Sequence, residues 1–353
     1  MAAAPSFLEE TATMPTAALP IPALADGAPM RAVLQSSYGS FDVLRVGTAA
    51  RPRPSEDEVI VRVHAAGVAR GDWHLMTGRP YLMRVMGFGF SAPRSPVAGL
   101  DVAGKVVEIG ARVTRFAVGD EVFGIARGAF AEYAAARADK LVRKPAGVSF
   151  EDAAVSPVSG ITALQALRDA GRLEPGQRVL VVGASGGVGA FAVQLAHAMG
   201  GQVDGVCSAS KMDLVRALGA HELFDYAKAD FSDGTRHWDL VLDVGGNTPL
   251  ARLRRALTPT GRLVFVGGEN GGDWTGGFGR PLSAMLLGLF VKQRFAMLAT
   301  REGAEDLERI GAYLASGAVK PPIDRRIGLD GVSDALRDLE AGRVRGKVVV
   351  VVA

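Results

Sequence analysis

Residues 178–189 read RVLVVGASGGVG, and this dozen decides the fold. Val179-Leu180-Val181-Val182 is a short apolar run of the kind a buried strand needs. Gly183, Ala184, Ser185, Gly186, Gly187, Val188 and Gly189 follow as a tight turn. Residues 190–199 (AFAVQLAHAM) hold no helix breaker, and Gly200-Gly201 stops them. A strand, a glycine turn and a helix in that order form the first unit of a dinucleotide-binding fold. The glycines let the backbone approach a pyrophosphate, and the opening N–H groups and dipole of the helix favour its charge. A βα turn without a ligand uses the same elements, and the second strand that follows in order favours the nucleotide.

Working outward, residues from about 151 alternate between two periods. A helix at 160–167 precedes strand 178–182, helix 190–199, strand 203–207, helix 211–218, strand 239–243, helix 249–257 and strand 262–266. That alternation implies an α/β unit with a parallel, doubly wound sheet. Residues 31–150 instead carry short strand candidates at 31–34, 58–68, 102–110, 120–126 and 129–136, separated by Gly and Pro, as a compact barrel-like β domain would. Beyond the sheet, 269–280 is glycine-rich and 281–299 reads as an apolar helical stretch. A helix at 303–315, a β segment at 323–329, a helix at 330–341 and a last strand at 347–352 follow. Their β character implies a return to the first domain. The domain expectation is therefore a tail over 1–29, a β catalytic domain over 30–150, a nucleotide domain over 151–295 and a returning segment over 296–353. Residues 1–29 contain no Lys or Arg, which argues against a secretory or mitochondrial leader and for a disordered tail, or for an upstream start with the folded protein beginning near Met30.

A chain of 353 residues is too long for one core. Its net charge of +3 comes from 40 basic and 37 acidic residues spread along the chain, and no basic tract carries interleaved aromatics, so nucleic acid is not an expected partner. No run of 18 apolar residues occurs, so no membrane span is expected. The single cysteine, Cys207, excludes an internal disulfide and any zinc site with two cysteines of this chain, and it points to a reducing, cytoplasmic location.

Several motifs together resemble the medium-chain dehydrogenase/reductase superfamily, in its zinc-free quinone-oxidoreductase-like branch. They are MRAVLQSSYGSFDVLRV (30–46), GDWHLMTGRPYLMR (71–84), PVAGLDVAGKVVEIG (96–110), GDEVFGIARGAFAEY (119–133), SGITALQAL (159–167), GASGGVG (183–189) and GRVRGKVVVVV (342–352). The resemblance spans residues 30–352. It implies a GroES-like β-barrel catalytic domain, a Rossmann domain, and a C-terminal segment that rejoins the first. It also implies an NAD(P)-dependent oxidoreductase working as a homodimer. The zinc enzymes of the superfamily carry a ligand cysteine where this chain has Ala69, and a His-Glu pair where it has Leu100-Asp101. His64, His74, His197, His221 and His237 show no metal-ligand spacing. No metal is expected.

The glycine pattern reads Ala184-x-Gly186-x-x-Gly189, with Gly183 ahead of it. Asp204 stands at the offset of a ribose-binding carboxylate, but in mid-strand. At the strand's end Ser208, Ser210 and Lys211 offer two hydroxyls and a cation, and Tyr226 adds a phenol after the next strand. This combination favours NADPH, although Ser208–Lys211 would also cap the next helix. The resemblance places Thr162, Gly245, and Val266-Gly267-Gly268 beside the cofactor, and lets Lys347 reach a phosphate. Gly245 is equally explained as a left-handed turn, and Lys347 as a surface lysine opening a strand.

Without a Lewis acid to polarise a carbonyl, hydride delivery to a quinone or an α,β-unsaturated carbonyl is the natural reaction, because conjugation already spreads the developing charge. Tyr81 is the candidate proton donor, against a packed aromatic at the rim. Asp72 borders the cleft in the family and is read as catalytic or as a loop-fixing group. Trp274, Phe278, Leu282, Met285 and Leu286 are expected to line an apolar substrate pocket for a hydrophobic acceptor, against a surface loop followed by a core or dimer-contact helix. A metal-free alcohol or aldehyde oxidoreductase and a non-catalytic NADPH-binding protein are the competing readings, the latter because Ala69 removes a polar group from the pocket.

Overall fold

The computed structural model describes residues 27–246, 248–267, 272–277 and 279–352. Most of the expected tail, together with Gly268 and Phe278, lies outside the described residues.

The apolar run at 179–182 is the centre of a six-stranded, all-parallel sheet. Its strand, Arg178–Val182, has Gln202–Cys207 and then Leu223–Asp225 on one side, and Trp238–Asp243, Leu257–Phe265 and Arg294–Met297 on the other. The chain therefore reverses direction across the sheet between Arg178–Val182 and Trp238–Asp243. In an open α/β sheet that reversal leaves a crevice at the carboxyl ends of the two strands, where ligands bind. Gly183 and Val244 stand at those ends. The helix after Gly183 runs over Gly187–Ala198, and residues 189–196 are all buried, which is why it has no polar stripe. It starts three residues before the expected Ala190, so Gly187, Val188 and Gly189 are helical rather than part of the turn.

The second sheet has seven strands. Its main path is Ile323–Ile327, Lys347–Val351, Glu58–Val68, Asp101–Ile109, Glu121–Ile125 and Leu141–Arg143, with Tyr133–Arg137 paired to Glu58–Val68. The last strand runs antiparallel to Glu58–Val68, with Val348 opposite Val68, so the end of the chain completes the sheet begun by its first third. Pro29–Leu34 and Arg45–Ala50 form a separate antiparallel pair. The pairings among the described residues trace an open path, and closure into a barrel is not among them. The fold is thus mixed α/β, with one parallel and one mixed sheet.

One expectation is overturned in the stretch 281–299. The helix covers only Gly279–Leu287, and Arg294–Met297 is the edge strand of the parallel sheet. A short apolar run does not distinguish a helix from a strand, and the Gly288 break between the two carried the missing information. Among the described residues no helix is long and apolar enough to cross a membrane.

Candidate nucleotide cleft and buried ion cluster

The turn is held by its own strand ends. Gly183 and Ala184 both donate to the Val206 carbonyl at 3.0 Å, while Val244 and Gly245 both donate to the Val182 carbonyl at 3.0 Å. Gly183 has φ +89°, a conformation L side chains rarely adopt. A Cβ on Gly189 would stand 2.1 Å from the Gly183 carbonyl oxygen, so the helix packs on the turn without room for a side chain. Gly186 differs: a Cβ there would meet only the Gly183 oxygen, at 3.6 Å. The space above Gly186 is open, and it adjoins the free N–H groups of the first helical turn. That cradle fits a pyrophosphate. Gly267 crowds Val244 from the next strand, with a Cβ position 2.2 Å from the Val244 oxygen. The left-handed turn expected at Gly245 is one residue later, at Gly246 with φ +71°. Gly245 instead lies directly against Gly183.

At the adenosine end, Asp204 is fully occupied inside the fold. Its carboxylate accepts from the Trp238 indole at 2.8 Å and from the Glu222 amide at 3.0 Å. Ser208 and Ser210 bring their hydroxyls within 3.3 Å of each other, and Tyr226 is exposed nearby, its amide donating to the Cys207 carbonyl. Lys211 donates to the Gly342 and Val344 carbonyls at 2.7 and 2.6 Å. The turn carrying Arg343 and Arg345 is therefore pinned against Ser208–Lys211, and Arg345 pairs with Asp213 at 2.7 Å. Sequence reading missed these two guanidiniums because they arrive from more than 130 residues away. Cys207 is buried, and burial pushes its thiol to about 11, which removes it as a nucleophile.

Below the turn lies a buried ion cluster. Lys347 is fully enclosed, its Nζ donating to Ser159 Oγ at 3.1 Å and standing 3.7 Å from Asp101 Oδ2. The last distance is too long for a hydrogen bond. Its stem passes beneath the helix start, 3.1 Å from where a Gly187 Cβ would be. Gly346 beside it donates to the Ser185 carbonyl at 2.9 Å, so the returning segment clamps the glycine turn. Asp101 accepts from the Val158 amide at 3.0 Å, and its Oδ2 has no hydrogen-bond partner. Burial outweighs the nearby ammonium and lifts Asp101 to about 6, while burial lowers Lys347. Asp72 accepts from the Ala69 amide at 2.8 Å, closing the first turn of the helix Arg70–Thr77. Burial, with Asp101 adding to it, lifts Asp72 to about 7.

Between the two sheets opens a cleft of about 750 Å³. Thr162 lines it together with His74, Leu75, Met83, Phe88 and Ile125, and charged pairs such as Lys140–Glu302 close its far end. Thr162 donates its hydroxyl hydrogen to the Val158 carbonyl at 2.6 Å. Tyr81 lies outside this lining: its ring meets Trp274 edge-on at 5.3 Å, and the Arg84 guanidinium covers it at 4.6 Å. The expected pocket wall of Trp274, Leu282, Met285 and Leu286 is overturned. All four are exposed, Trp274 by 75%, and none lines the cleft; Leu282, Met285 and Leu286 sit on a helix that packs its Pro281–Ala284 side inward, and Trp274 precedes that helix. The apolar wall comes instead from Leu75, Met83, Phe88, Leu100 and Ile125. Among the described residues no three His, Cys, Asp or Glu side chains gather as metal ligands would.

Residues 55–146 match the alcohol dehydrogenase GroES-like domain, and residues 218–350 match the zinc-binding dehydrogenase family. A 2-methylene-furan-3-one reductase of Solanum lycopersicum is 34% identical over 339 residues, which cover 91% of this chain and 79% of that protein. The chain belongs to the medium-chain dehydrogenase/reductase superfamily, in its quinone-oxidoreductase-like branch. Two solved structures from this superfamily superpose closely. The quinone oxidoreductase of Coxiella burnetii has TM-score 0.81 at 28% identity, covering 92% of this chain and all of that one. A mycobacterial protein solved in complex with NADPH has TM-score 0.78 at 27% identity, over 91% and 99% of the two chains. One matched family name carries zinc, but the superfamily's ligand positions here are Ala69 and Leu100-Asp101.

Proposed function

We propose that this chain uses NADPH to reduce quinones or α,β-unsaturated carbonyls, without zinc. The observation that carries the reading is a phosphate cradle at Gly186, next to a cleft whose middle is apolar. The tomato, Coxiella and mycobacterial relatives support it by their activities and bound cofactor. NADPH, when bound, supplies a hydride from its nicotinamide. The chain's own residues do the rest. The opening amides at Gly187 and Val188 hold the diphosphate. Ser208 and Ser210 donate to a ribose 2′-phosphate, beside the cations that Lys211 tethers. Thr162 and Val266-Gly267 border the nicotinamide, and Leu75, Met83, Phe88 and Ile125 keep water from the acceptor. A conjugated acceptor suits this site because it delocalises the negative charge that a metal would otherwise neutralise.

In the same reading the chain divides near residue 150 and again after Met297, since a boundary at 295 would cut the edge strand Arg294–Met297. That unpaired edge and the exposed Leu289 and Phe290 support a homodimer. The reading is tested by following NADPH oxidation against a panel of quinones, enones and aldehydes, with and without a chelator. Saturable turnover of quinones or enones, indifferent to chelation, is expected. Tight NADPH binding with no turnover on any acceptor would assign a binding role instead.

A further inference from the structure

The cleft does not stop at its apolar wall. Its lining continues to Glu58, Arg127, Arg137, Lys140, Thr300 and Glu302. Backbone pairing gathers the cations at one place. Arg137 stands opposite Glu58 in the sheet, Arg127 bridges to Ala135, and Lys140 ends the short turn Ala138–Lys140 that follows Arg137. Glu58 opens the strand Glu58–Val68, and the helix that carries Leu75 comes after that strand's last residue. The strand thus holds the charged end and the apolar wall apart, and the cleft joins them.

Three cations meet two carboxylates along this stretch, since Asp139, the partner of Arg137, lies outside the lining. Glu58 is the more committed carboxylate: it is buried, accepts from the Ser55 amide at 3.2 Å and pairs with Arg127. Lys140 donates to Glu302 at 2.6 Å, and the two side chains are 35% and 36% exposed. The cations keep donors to spare, because a guanidinium has five N–H groups and an ammonium three. Among the described residues, Arg127 donates to Glu58 through one terminal nitrogen, Arg137 to Asp139 through Nε and one terminal nitrogen, and Lys140 to Glu302 alone.

Resting on the reading above, we propose that this end of the cleft binds a carboxylate carried by the acceptor. The preferred substrate is then an elongated enone or quinone with an apolar body and an anionic tail. A carboxylate presents two oxygens to forked N–H donors, the geometry that guanidiniums match. A cationic tail would meet the excess of like charge, and a neutral one would leave the spare donors without an anion. Lys140 governs the strength of the site, because the Glu302 carboxylate competes with the substrate for its ammonium. Removing Glu302 and removing Lys140 therefore act in opposite directions. The subsite adds recognition and takes no part in the hydride transfer.

The test follows NADPH oxidation with benzylideneacetones and benzoquinones that carry a carboxylate on the ring through alkyl spacers of increasing length, each against its methyl ester. Wild type is expected to favour the acid over the ester by about tenfold in kcat/KM at the best spacer length. That preference should shrink as salt is raised, because the site is partly open to solvent. Lys140→Gln should cut the acid-to-ester ratio about fivefold, and Glu302→Gln should raise it about threefold. Reading a ratio cancels any general loss of activity, and a merely structural role for the pair would move both variants the same way. An unchanged ratio in both variants, a shift of both in one direction, or a wild-type preference for the esters at every length would overturn the proposal. A wild type that turns over none of these acceptors, the unsubstituted parents included, would instead sink the underlying reading.

Discussion

The glycine turn and the buried ion cluster touch at Gly187 and are built in opposite ways. The turn and the helix start after it come from seven consecutive residues, and their geometry follows from where side chains are missing. The cluster gathers Asp72, Asp101, Ser159 and Lys347 from four distant segments, and its geometry follows from where charges are enclosed. The first makes a space; the second fixes the floor beneath it. A local motif therefore provides the cradle, while long-range contacts hold it at the seam between the two sheets.

Breaking the floor should have the largest effect. Lys347→Met leaves Asp101 buried with its neighbouring cation gone. Removing one partner of a buried pair typically costs about 3–5 kcal/mol. That loss is expected at pH 8, read from urea unfolding. It should shrink near pH 5, because Asp101, raised to about 6, takes up a proton and no longer needs the ammonium. Lys347→Met/Asp101→Asn should recover most of the loss, since Asn still accepts from the Val158 amide. A double variant as unstable as the single one would show that Lys347 acts through packing under Gly187, not through charge.

The same contrast explains what could be read from the sequence. The glycine turn, the order of strands and helices after it, and the return of the last strand were legible because each depends on neighbours in the chain. Asp204 was legible in part: its mid-strand position argued against a ribose contact, and its carboxylate is taken up by the Trp238 indole. Lys347 was read as a surface or phosphate-binding residue, since nothing local marks a lysine as enclosed. The cleft wall was misplaced for a related reason. The apolar residues of 274–286 looked like a pocket, but hydrophobicity does not say which face is covered, and here the covering was left to Leu75, Met83 and Phe88.

Two glycines, one at the turn's end and one in the first helical turn, separate structure from binding at a smaller scale. Gly189→Ala forces a methyl against backbone at 2.1 Å, which nothing flexible can relieve. A loss of about 1–3 kcal/mol in stability is expected, with NADPH affinity falling alongside. Gly186→Ala puts its methyl into the open cradle, at an ordinary 3.6 Å from the nearest atom and with φ −82°. Stability should stay within about 0.5 kcal/mol of wild type while NADPH affinity drops. Thermal unfolding and fluorescence titration on both variants decide the matter. If Gly186→Ala binds NADPH as wild type does, the diphosphate is not held where the cradle opens.

The adenosine end combines both kinds of construction and should show the smallest effect. Ser208 and Ser210 are local, while Arg343 and Arg345 are delivered by a turn that Lys211 ties down. Ser208→Asp introduces a carboxylate beside the position of a doubly charged 2′-phosphate. The site is partly open to solvent, so screening limits the repulsion. A fall of about tenfold in NADPH affinity, roughly 1.4 kcal/mol, is expected, with NADH affinity unchanged or improved, because a carboxylate accepts from a free 2′-hydroxyl. Parallel titrations with the two cofactors measure this directly. Equal weakening of both would mean that Ser208 supports the loop, and that discrimination rests with the guanidiniums brought from the far end of the chain.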